Sequence, residues 1–454
     1  MGQSWSEIDP AWAWSPYEPS PAEPWNRSRA AHLYRRAAFG ATASELTEAV
    51  ARPAQEVVAS LVSGPASTAD FDREMELLSR TLAAGGDPHQ LSAWWLWRMR
   101  YTPDPLLEKL TLFWHGHFAT SAAKVNKAAL MLVQHDLLRR EARGSFAKMT
   151  HGISRDPAML LYLDSATNRK LHPNENFARE VMELFCLGLG NYTEHDIQDL
   201  ARCFTGWEVR DSEFKFNPYQ HDGGEKAFLN RRGNFSGEQG VQVVLDQEAT
   251  ARFIVGKWFR YFLADEPAAP AALLKPLVDQ FRAGGLEIRP VIQRMLGSKL
   301  FFSQHVAGRK IRSPVELGVG LLRTLEGQAN LHQLARSLEE LGQAVFYPPN
   351  VKGWDGGRTW LSTATLIGRA NLVKRIAEGN DNRFAGGTLD ALATKHHLES
   401  PEECVDWLLE HLVAVAPPAE VRARLVETAR RAGRPQRLGD VLSVLATVPE
   451  FQLG

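Results

Sequence analysis

The sequence predicts a mainly α fold: one large single helical domain with two irregular or short-hairpin excursions, at about residues 208–235 and 346–360. Three observations support this prediction. Apolar residues recur at three- and four-residue spacing in most segments after residue 30, helix start signals precede several of these segments, and only the two excursions lack a helical period. No fixed repeat period runs along the chain, which argues against a solenoid.

The first 29 residues are predicted to form an extended arm, and residues 30–454 the helical domain. The first 28 residues contain five prolines and four tryptophans without any period. Proline disfavours regular structure, whereas tryptophan carries a large apolar surface. We therefore expect the arm to lie over the body through its aromatic side chains.

The helices of the body are indicated by their period and by their start signals. Asp104-Pro105 and Asp156-Pro157 each place a capping side chain before a proline at the first helical position. The segment "SPVE" at 313–316 combines a cap, a proline and a capping-box glutamate. Five segments show the helical period most clearly: "ASELTEAVARPAQEVVASLVSG", "LSAWWLWRMR", "DPLLEKLTLFWHGHF", "KAALMLVQHDLLRREA" and "DPAMLLYLDSAT".

Composition excludes several classes of protein. The 454 residues include 52 Lys and Arg against 53 Asp and Glu, so no overall field attracts nucleic acid, and none is expected as a partner. With 44% hydrophobic and 23% charged residues the chain is typical of a globular protein, and no run of about 18 apolar residues predicts an integral membrane segment. The sequence as given shows no signal peptide, which predicts a cytoplasmic location.

Three cysteines, Cys186, Cys203 and Cys404, are too few and too far apart for a disulfide framework or a thiolate metal site. Cys186 and Cys203 lie in apolar helical surroundings and are expected to fill the core.

A polar helix is predicted in "PNENFAREVMELF" at 173–185, starting at Pro173. Glu175, Asn176, Arg179, Glu180 and Glu183 would share one face, covering an arc of roughly 140 degrees. A solvated face with i,i+4 ion pairs explains this arc without any function. The alternative is a functional site, in which Glu180, Glu183 and Arg179 are catalytic.

Asparagines on this segment favour the functional interpretation. Asn174 and Asn176 are poor choices for a helix interior and suit positioned hydrogen bonds, so we assign them to substrate binding. Asp164, Asn168 and Lys170 add polar density on the approach to the helix.

Two histidines close the apolar helix of "FWHGHFATS". A pair of imidazoles one residue apart can present both rings to one metal ion, so His115 and His117, with Glu183, are candidate metal ligands for a divalent cation. A structural pair at the helix end is the competing explanation.

The two excursions supply the remaining candidates. In "QHDGGEKAF", His221 and Asp222 suit general acid/base work, and Lys226 could bind an anionic group; a plain turn is the alternative. In "NVKGWDGGRTW", Lys352, Trp354 and Arg358 suit stacking on a sugar ring or holding an anion, although tryptophan packing against the body is an equal alternative.

No nucleotide-binding, serine-hydrolase or zinc-protease motif occurs in the chain. The blocks "HLYRRAAFGAT", "KLTLFWHGHFATS", "NENFAREVMELFCLGLGNYTEHDIQDLARCFTGW", "HDGGEKAFLNRRGNF" and "PPNVKGWDGGRTWLSTATLIGR" together resemble the bacterial DUF1800 family, from about residue 30 to the end. The resemblance implies no established activity. It does imply a pathway partner, because members are typically encoded beside a sulfatase-like family (DUF1501), and it implies export if the N-terminus is incomplete.

Two functions follow from these residues. In the first, the three polar clusters form one cleft that performs acid/base or metal-assisted hydrolytic chemistry on a polar substrate such as a glycan. In the second, the charges form a buried structural network and the protein is a non-catalytic scaffold or binding protein for the sulfatase-like partner.

Overall fold

A computed structural model describes residues 5–454. Twenty-five α-helices account for most of this part of the chain, and the strands there form only three short antiparallel pairs. The predicted mainly α class is therefore confirmed.

The helices, numbered in chain order, are α1 Pro10–Ala13, α2 Arg27–Ala37, α3 Ala43–Val50, α4 Ala54–Ser63, α5 Ala69–Ala84, α6 Pro88–Tyr101, α7 Pro105–His117, α8 Ala122–Val125, α9 Ala128–Glu141, α10 Phe146–Ser154, α11 Pro157–Tyr162, α12 Asn176–Glu180, α13 Glu194–Cys203, α14 Gly237–Leu245, α15 Glu248–Phe262, α16 Ala271–Ala283, α17 Ile288–Leu296, α18 Lys299–Phe302, α19 Pro314–Thr324, α20 Leu331–Glu340, α21 Thr363–Glu378, α22 Leu389–Lys395, α23 Pro401–Leu412, α24 Ala419–Arg431 and α25 Arg437–Leu445.

Both excursions occur where the sequence places them. The first contains two hairpins, β1 Trp207–Arg210 with β2 Glu213–Phe216, and β3 Lys226–Phe228 with β4 Arg231–Gly233. The second is irregular and ends in a 3₁₀ turn, Gly357–Trp360. The third strand pair, β5 Gly327–Gln328 with β6 Arg383–Phe384, is absent from the sequence prediction because it is only two residues long.

The predicted helix starts at Asp104, Asp156 and Ser313 are also confirmed. Asp104 accepts the N–H of Leu107 at the start of α7, and Asp156 accepts the N–H of Met159 at the start of α11. At α19, Ser313 and Glu316 form the predicted capping box. These side chains satisfy donors that the first turn of a helix leaves free.

The N-terminal segment packs into the body through its aromatic side chains. Trp5 and Trp14 are buried in the same apolar cluster as the first half of the domain, and their indole N–H groups donate to the carbonyls of Pro267 and Leu273. Residues 1–4 of the predicted arm lie outside the described residues, and the domain boundary near residue 29 stays a prediction.

Two apolar clusters fill the interior, and α7 contributes to both of them. Trp114 on α7 packs against Trp258 on α15 within the first cluster, whereas Leu112 belongs to the second. Helix α7 therefore carries its last residues, which include His115 and His117, to the junction of the two clusters.

Candidate functional site

A cavity of about 210 Å³ opens where α7, α15 and the second excursion meet. Its walls include four aromatic side chains, from Phe113, Tyr261, Trp354 and Trp360. Its polar lining comes from His117, Lys257, Arg260, Asp265, Lys310, Ser313, Glu316, Gln343, Lys352 and Asp355. Concave sites of this kind, apolar with a few convergent polar groups, are where small ligands usually bind.

Helix α15 supplies one side of the cavity. Lys257, Arg260 and Tyr261 are spaced i, i+3 and i+4, so they project from one face of the helix. Tyr261 packs against Phe113 of α7 with ring centroids 5.0 Å apart, and its hydroxyl donates to the backbone carbonyl of Lys109. The packing of α15 on α7 thus fixes the position of Lys257.

Lys257 and His117 form a hydrogen-bonded pair at one end of the cavity. Lys257 Nζ lies 3.0 Å from His117 Nδ1 and 3.2 Å from the carbonyl oxygen of Leu184. His117 Nε2 lies 3.0 Å from the carbonyl oxygen of Phe185, an acceptor. His117 must therefore carry its proton on Nε2 and accept from Lys257 at Nδ1.

The two carbonyls belong to the end of a π-helical segment, Val181–Cys186, that continues α12. The last carbonyls of a helix have no partner within it. Here Lys257 binds the carbonyl of Leu184, and His117 binds that of Phe185. π-Helical turns are rare and often mark functional sites, and this one brings the backbone of the predicted polar helix to the cavity.

Burial and charge both act on Lys257. Burial is the main cause that lowers the pKa of Lys257; repulsion from Arg260 and Lys352 adds to it and the nearby Cys186 opposes it, so that this pKa is about 7. No carboxylate among residues 5–454 forms an ion pair with Lys257, whose ammonium lies 4.7 Å from the centre of the Phe253 ring. At neutral pH a substantial fraction of Lys257 is therefore an uncharged amine.

Two buried ion pairs form the opposite end of the cavity. Lys109 Nζ lies 2.5 Å from Glu316 Oε1, and Lys310 Nζ lies 3.0 Å from Asp265 Oδ1. Burial would raise the pKa of Glu316, but Lys109 and Lys310 outweigh it and hold that pKa at about 2. Glu316 is consequently an anion that also caps α19.

The second excursion forms the mouth of the cavity. Arg260 donates to the backbone carbonyl of Asp355, whose carboxylate pairs with Lys352 at 2.5 Å. Lys352 is 64% exposed, so a ligand at the mouth of the cavity can reach its ammonium group beside Asp355. Of the predicted substrate-binding residues, Lys352 and Trp354 line this cavity.

His115 is a structural residue. Its Nε2 accepts the backbone N–H of Phe346, and its ring packs among Trp95, Phe346 and Trp354. Burial lowers the pKa of His115 to about 3, so it is neutral under ordinary conditions. It anchors the start of the second excursion to α7.

The polar helix differs from the prediction in its start and its phase. It begins at Asn176 rather than Pro173, because the side chain of Asn174 accepts the N–H of Asn176. The π-helical segment that follows has more residues per turn, so the spacing used for the predicted face does not extend to Glu183.

The charged side chains of this helix contact residues that do not line the cavity. Arg179 pairs with Glu194 at 2.7 Å and with Glu175 at 3.3 Å. Glu183 accepts from the hydroxyl of Tyr192, and Glu180 is a half-buried carboxyl whose pKa is raised by burial and by Glu183. None of these residues lines the cavity.

The predicted substrate-binding asparagines hold the backbone instead. Asn174 donates to the carbonyl of Asp164, and Asn176 donates to that of Leu163. The positioned hydrogen bonds expected for them are present, but their acceptors are backbone carbonyls of the preceding loop.

The predicted acid/base pair of the first excursion is likewise engaged locally. Asp222 pairs with Arg202 at 2.7 Å, which lowers the pKa of that carboxyl, and His221 Nδ1 lies 2.9 Å from the carbonyl of Thr205. Lys226 is buried and donates to the carbonyls of Asp222 and Gly224. These bonds close the loop, and none of the three residues lines the cavity.

The candidate metal ligands do not come together. Among residues 5–454, no group of three or more His, Cys, Asp or Glu side chains is arranged to hold a metal ion. His115 and His117 bind backbone groups and Lys257, and Glu183 binds Tyr192. The metal site predicted from His115, His117 and Glu183 is therefore not formed.

Of the predicted site, His117, Lys352 and Trp354 converge, whereas Arg358 pairs with Glu266 at the surface. Several cavity residues were not predicted from the sequence, among them Lys257, Lys310, Asp265, Glu316 and Gln343. One signal was available, because Lys257 has aromatic residues at both i−4 and i+4, Phe253 and Tyr261, which places it beside the buried face of α15.

The fold and cavity define a mainly α-helical protein with a lysine–histidine pair in an aromatic-walled cavity. Its sequence matches the family described as "Protein of unknown function (DUF1800)" over residues 32–453, nearly the whole chain, so the protein belongs to the DUF1800 family. No curated protein and no solved structure shows significant similarity to it. No helix in the described part of the chain has the length and apolarity to cross a membrane.

Proposed function

We propose that this protein is an enzyme in which Lys257, paired with His117, performs acid/base chemistry on a small polar substrate bound in the cavity. One observation carries the proposal: a largely buried lysine without a carboxylate partner lines the cavity and bonds to a neutral histidine. A catalytic base works best when its pKa lies near the working pH, which desolvation of a lysine achieves.

The hydrogen bonds around Lys257 suit a general base. A neutral amine has two N–H donors and one lone pair. Its two donors are used by His117 Nδ1 and the carbonyl of Leu184. The lone pair of Nζ is then available to accept a proton.

The reaction that fits best is hydrolysis. Lys257 takes a proton from water as the water oxygen attacks the substrate, and the resulting ammonium gives that proton to the leaving group. His117, held by the carbonyl of Phe185, keeps the amine in position. The aromatic walls, Trp354 above all, would stack on a ring such as a sugar, so a glycan remains a suitable substrate.

A panel of 4-nitrophenyl esters, phosphates, sulfates and glycosides tests this function. We expect turnover of one class by the wild type and a loss of at least about 100-fold in Lys257→Met, the usual scale of general acid/base catalysis. Lys275→Met is the matched control, because Lys275 is 70% exposed and its ion pair is with Asp279 on the same helix. Turnover that Lys257→Met retains in full would contradict the proposal.

A second function is supported by a different surface. Leu171 and Tyr219 are 78% and 84% exposed, and a hydrogen bond from Lys170 N to the carbonyl of Gln220 holds their segments side by side. Clustered exposed apolar groups often mark interaction sites. A binding role toward the sulfatase-like partner would use this surface. Leu171→Ser/Tyr219→Ser should then abolish binding of the purified partner, whereas Lys257→Met should not.

A further inference from the structure

The polar groups at the Lys310 end of the cavity offer donors that the protein does not use. Lys310 Nζ makes one hydrogen bond within residues 5–454, to Asp265 Oδ1. The amide of Gln343 accepts from Val315 N through Oε1, and its Nε2 has no partner in the same part of the chain. Both side chains line the cavity and are at most 8% exposed.

Each carboxylate oxygen at this end already accepts one hydrogen bond. Asp265 accepts from Lys310 through Oδ1 and from the N–H of Ile311 through Oδ2. Glu316 accepts from Lys109 through Oε1 and from the N–H of Ser313 through Oε2. A ligand group that approaches this end therefore meets free donors, and an acceptor-only group complements them.

The region behind these residues holds more positive than negative charge. Five buried cations surround the two carboxylates Glu316 and Asp265: Arg36, Lys109, Lys310, Arg312 and Arg369. Burial lowers the pKa of Arg312 to about 9, so it is still charged at neutral pH.

Several of the guanidinium N–H groups in this region have no acceptor. Arg312 Nε and Nη2, Arg369 Nη1 and Arg36 Nε are buried without a hydrogen-bond partner among residues 5–454. Arg369 also donates to the backbone carbonyl of Arg312, which precedes the cavity-lining Ser313. Uncompensated buried charge is destabilising, and a bound anion would compensate it.

The two ends of the cavity have different charged neighbours. Beyond the effect of burial, Arg260 and Lys352 lower the pKa of Lys257, whereas Lys109 and Lys310 contribute most to lowering that of Glu316. An anion held at the Lys310 end would therefore leave Lys257 free for chemistry at the other.

We infer that the Lys310 end is an oxyanion subsite: Lys310 and Gln343 bind a phosphate, sulfate or carboxylate group of the ligand. The inference rests on the proposed function in that it assigns the substrate class of the same cavity. It predicts an anionic substrate whose reacting bond lies away from the anchoring group, toward Lys257.

Isothermal titration calorimetry of the full chain with phosphate, sulfate and acetate, at constant ionic strength, tests the subsite. We expect one of the three to bind the wild type. Gln343→Glu keeps the acceptor for Val315 N but replaces the free amide donor with a negative charge, and should weaken binding at least about tenfold. Lys310→Gln, which keeps a donor for Asp265, should weaken it similarly.

One further variant serves as a control. Lys275→Gln, at an exposed position that does not line the cavity, should leave anion affinity within about threefold of the wild type. No binding of any of the three anions, or binding that Gln343→Glu and Lys310→Gln leave unchanged in folded protein, would overturn the inference. Anion binding that persists when Lys257 proves unreactive would refute the proposed catalysis alone, so the two failures can be told apart.

Discussion

At the scale of the residue, the proposed function depends on how contacts with distant segments lower the pKa of one side chain, Lys257. Lys257 is largely buried, donates to His117 and to one carbonyl, and forms no ion pair with a carboxylate within residues 5–454. Burial is the main effect that opposes its protonation; repulsion from Arg260 and Lys352 adds to it, and Cys186 acts in the opposite direction. The same residue at an exposed position of α15 would be an ordinary charged lysine.

The stability of a Lys257→Met variant should depend on pH in a defined direction. Burial lowers the pKa of Lys257 to about 7 in the folded protein, so between pH 7 and 10 the unfolded chain binds more protons than the folded one. The wild type therefore gains stability over this interval, and the variant lacks that gain.

Urea unfolding at pH 7 and pH 10 measures the effect. The free energy of unfolding of Lys257→Met, relative to the wild type, should fall by up to about 3 kcal/mol between these two values, at about 1.4 kcal/mol per unit of pKa shift. Lys275→Met should show no such trend. A difference that is independent of pH would mean that Lys257 titrates normally.

Only part of the predicted site comes together, and the substrate-binding roles assigned from sequence stay predictions. His117, predicted as a metal ligand, and Lys352 and Trp354, predicted to bind substrate, line the cavity. Glu180, Glu183 and Asp222 belong to equally polar segments of the sequence but do not line it. Lys257 was missed because its burial depends on α7 and on the π-helical segment, both far away in sequence.

At the scale of the element, the second excursion is held against α7 by close backbone contact. Gly353 has a φ of +81°, and a Cβ there would overlap the carbonyl oxygen of Gly116. Neither backbone can move without displacing Trp354 or the end of α7, which carries His117. The glycine pair thus sets the width of the cavity mouth.

Gly353→Ala should destabilise the protein by about 3 kcal/mol or more, because the left-handed backbone costs roughly 1–2 kcal/mol and the clash adds to it. Gly190→Ala is the matched control, since Gly190 has a φ of +80° but no atom lies within 4 Å of the position that a Cβ would take. Gly190→Ala should lower the free energy of unfolding only by the roughly 1–2 kcal/mol that the left-handed backbone costs. Equal losses in the two variants, measured by urea unfolding, would show that the contact is unimportant.

Helix caps and hairpins were predictable from sequence because short-range hydrogen bonds decide them. The capping box at Ser313 and the hairpins after Trp207 are examples. The π-helical segment at Val181–Cys186 was not predictable, because an α period and a π period differ little over six residues. Its carbonyls nevertheless bind the two central residues of the cavity.

At the scale of the whole molecule, the helices place a surplus of cations behind one end of a small cavity. Arg36 lies on α2, Lys109 on α7 and Arg369 on α21, and Arg312 precedes α19. No local sequence pattern predicts that these distant segments converge. An anion that binds only the folded protein should raise the free energy of unfolding. The surplus of buried cations is the reason that we expect such binding.

The mainly α class and both excursions were predictable because a helical period runs through most segments after residue 30 and is missing in the two excursions. The convergence of distant segments on the cavity was not predictable. The charges of the 173–185 helix and of the first excursion form ion pairs outside the cavity lining, such as Arg179–Glu194 and Arg202–Asp222. The cavity residues form a separate group, on which the enzymatic proposal depends.

The pH dependence of Lys257 acetylation, followed by peptide mass spectrometry after brief treatment with acetic anhydride, tests the central claim most directly. Lys257 should react with a midpoint near pH 7, well below the value of about 10.4 for lysine in a short peptide, and such a peptide added to the same sample is the reference. Because the midpoint is independent of how easily the reagent enters, restricted access would not mask the result. Coinciding midpoints for Lys257 and the reference peptide would contradict the proposal.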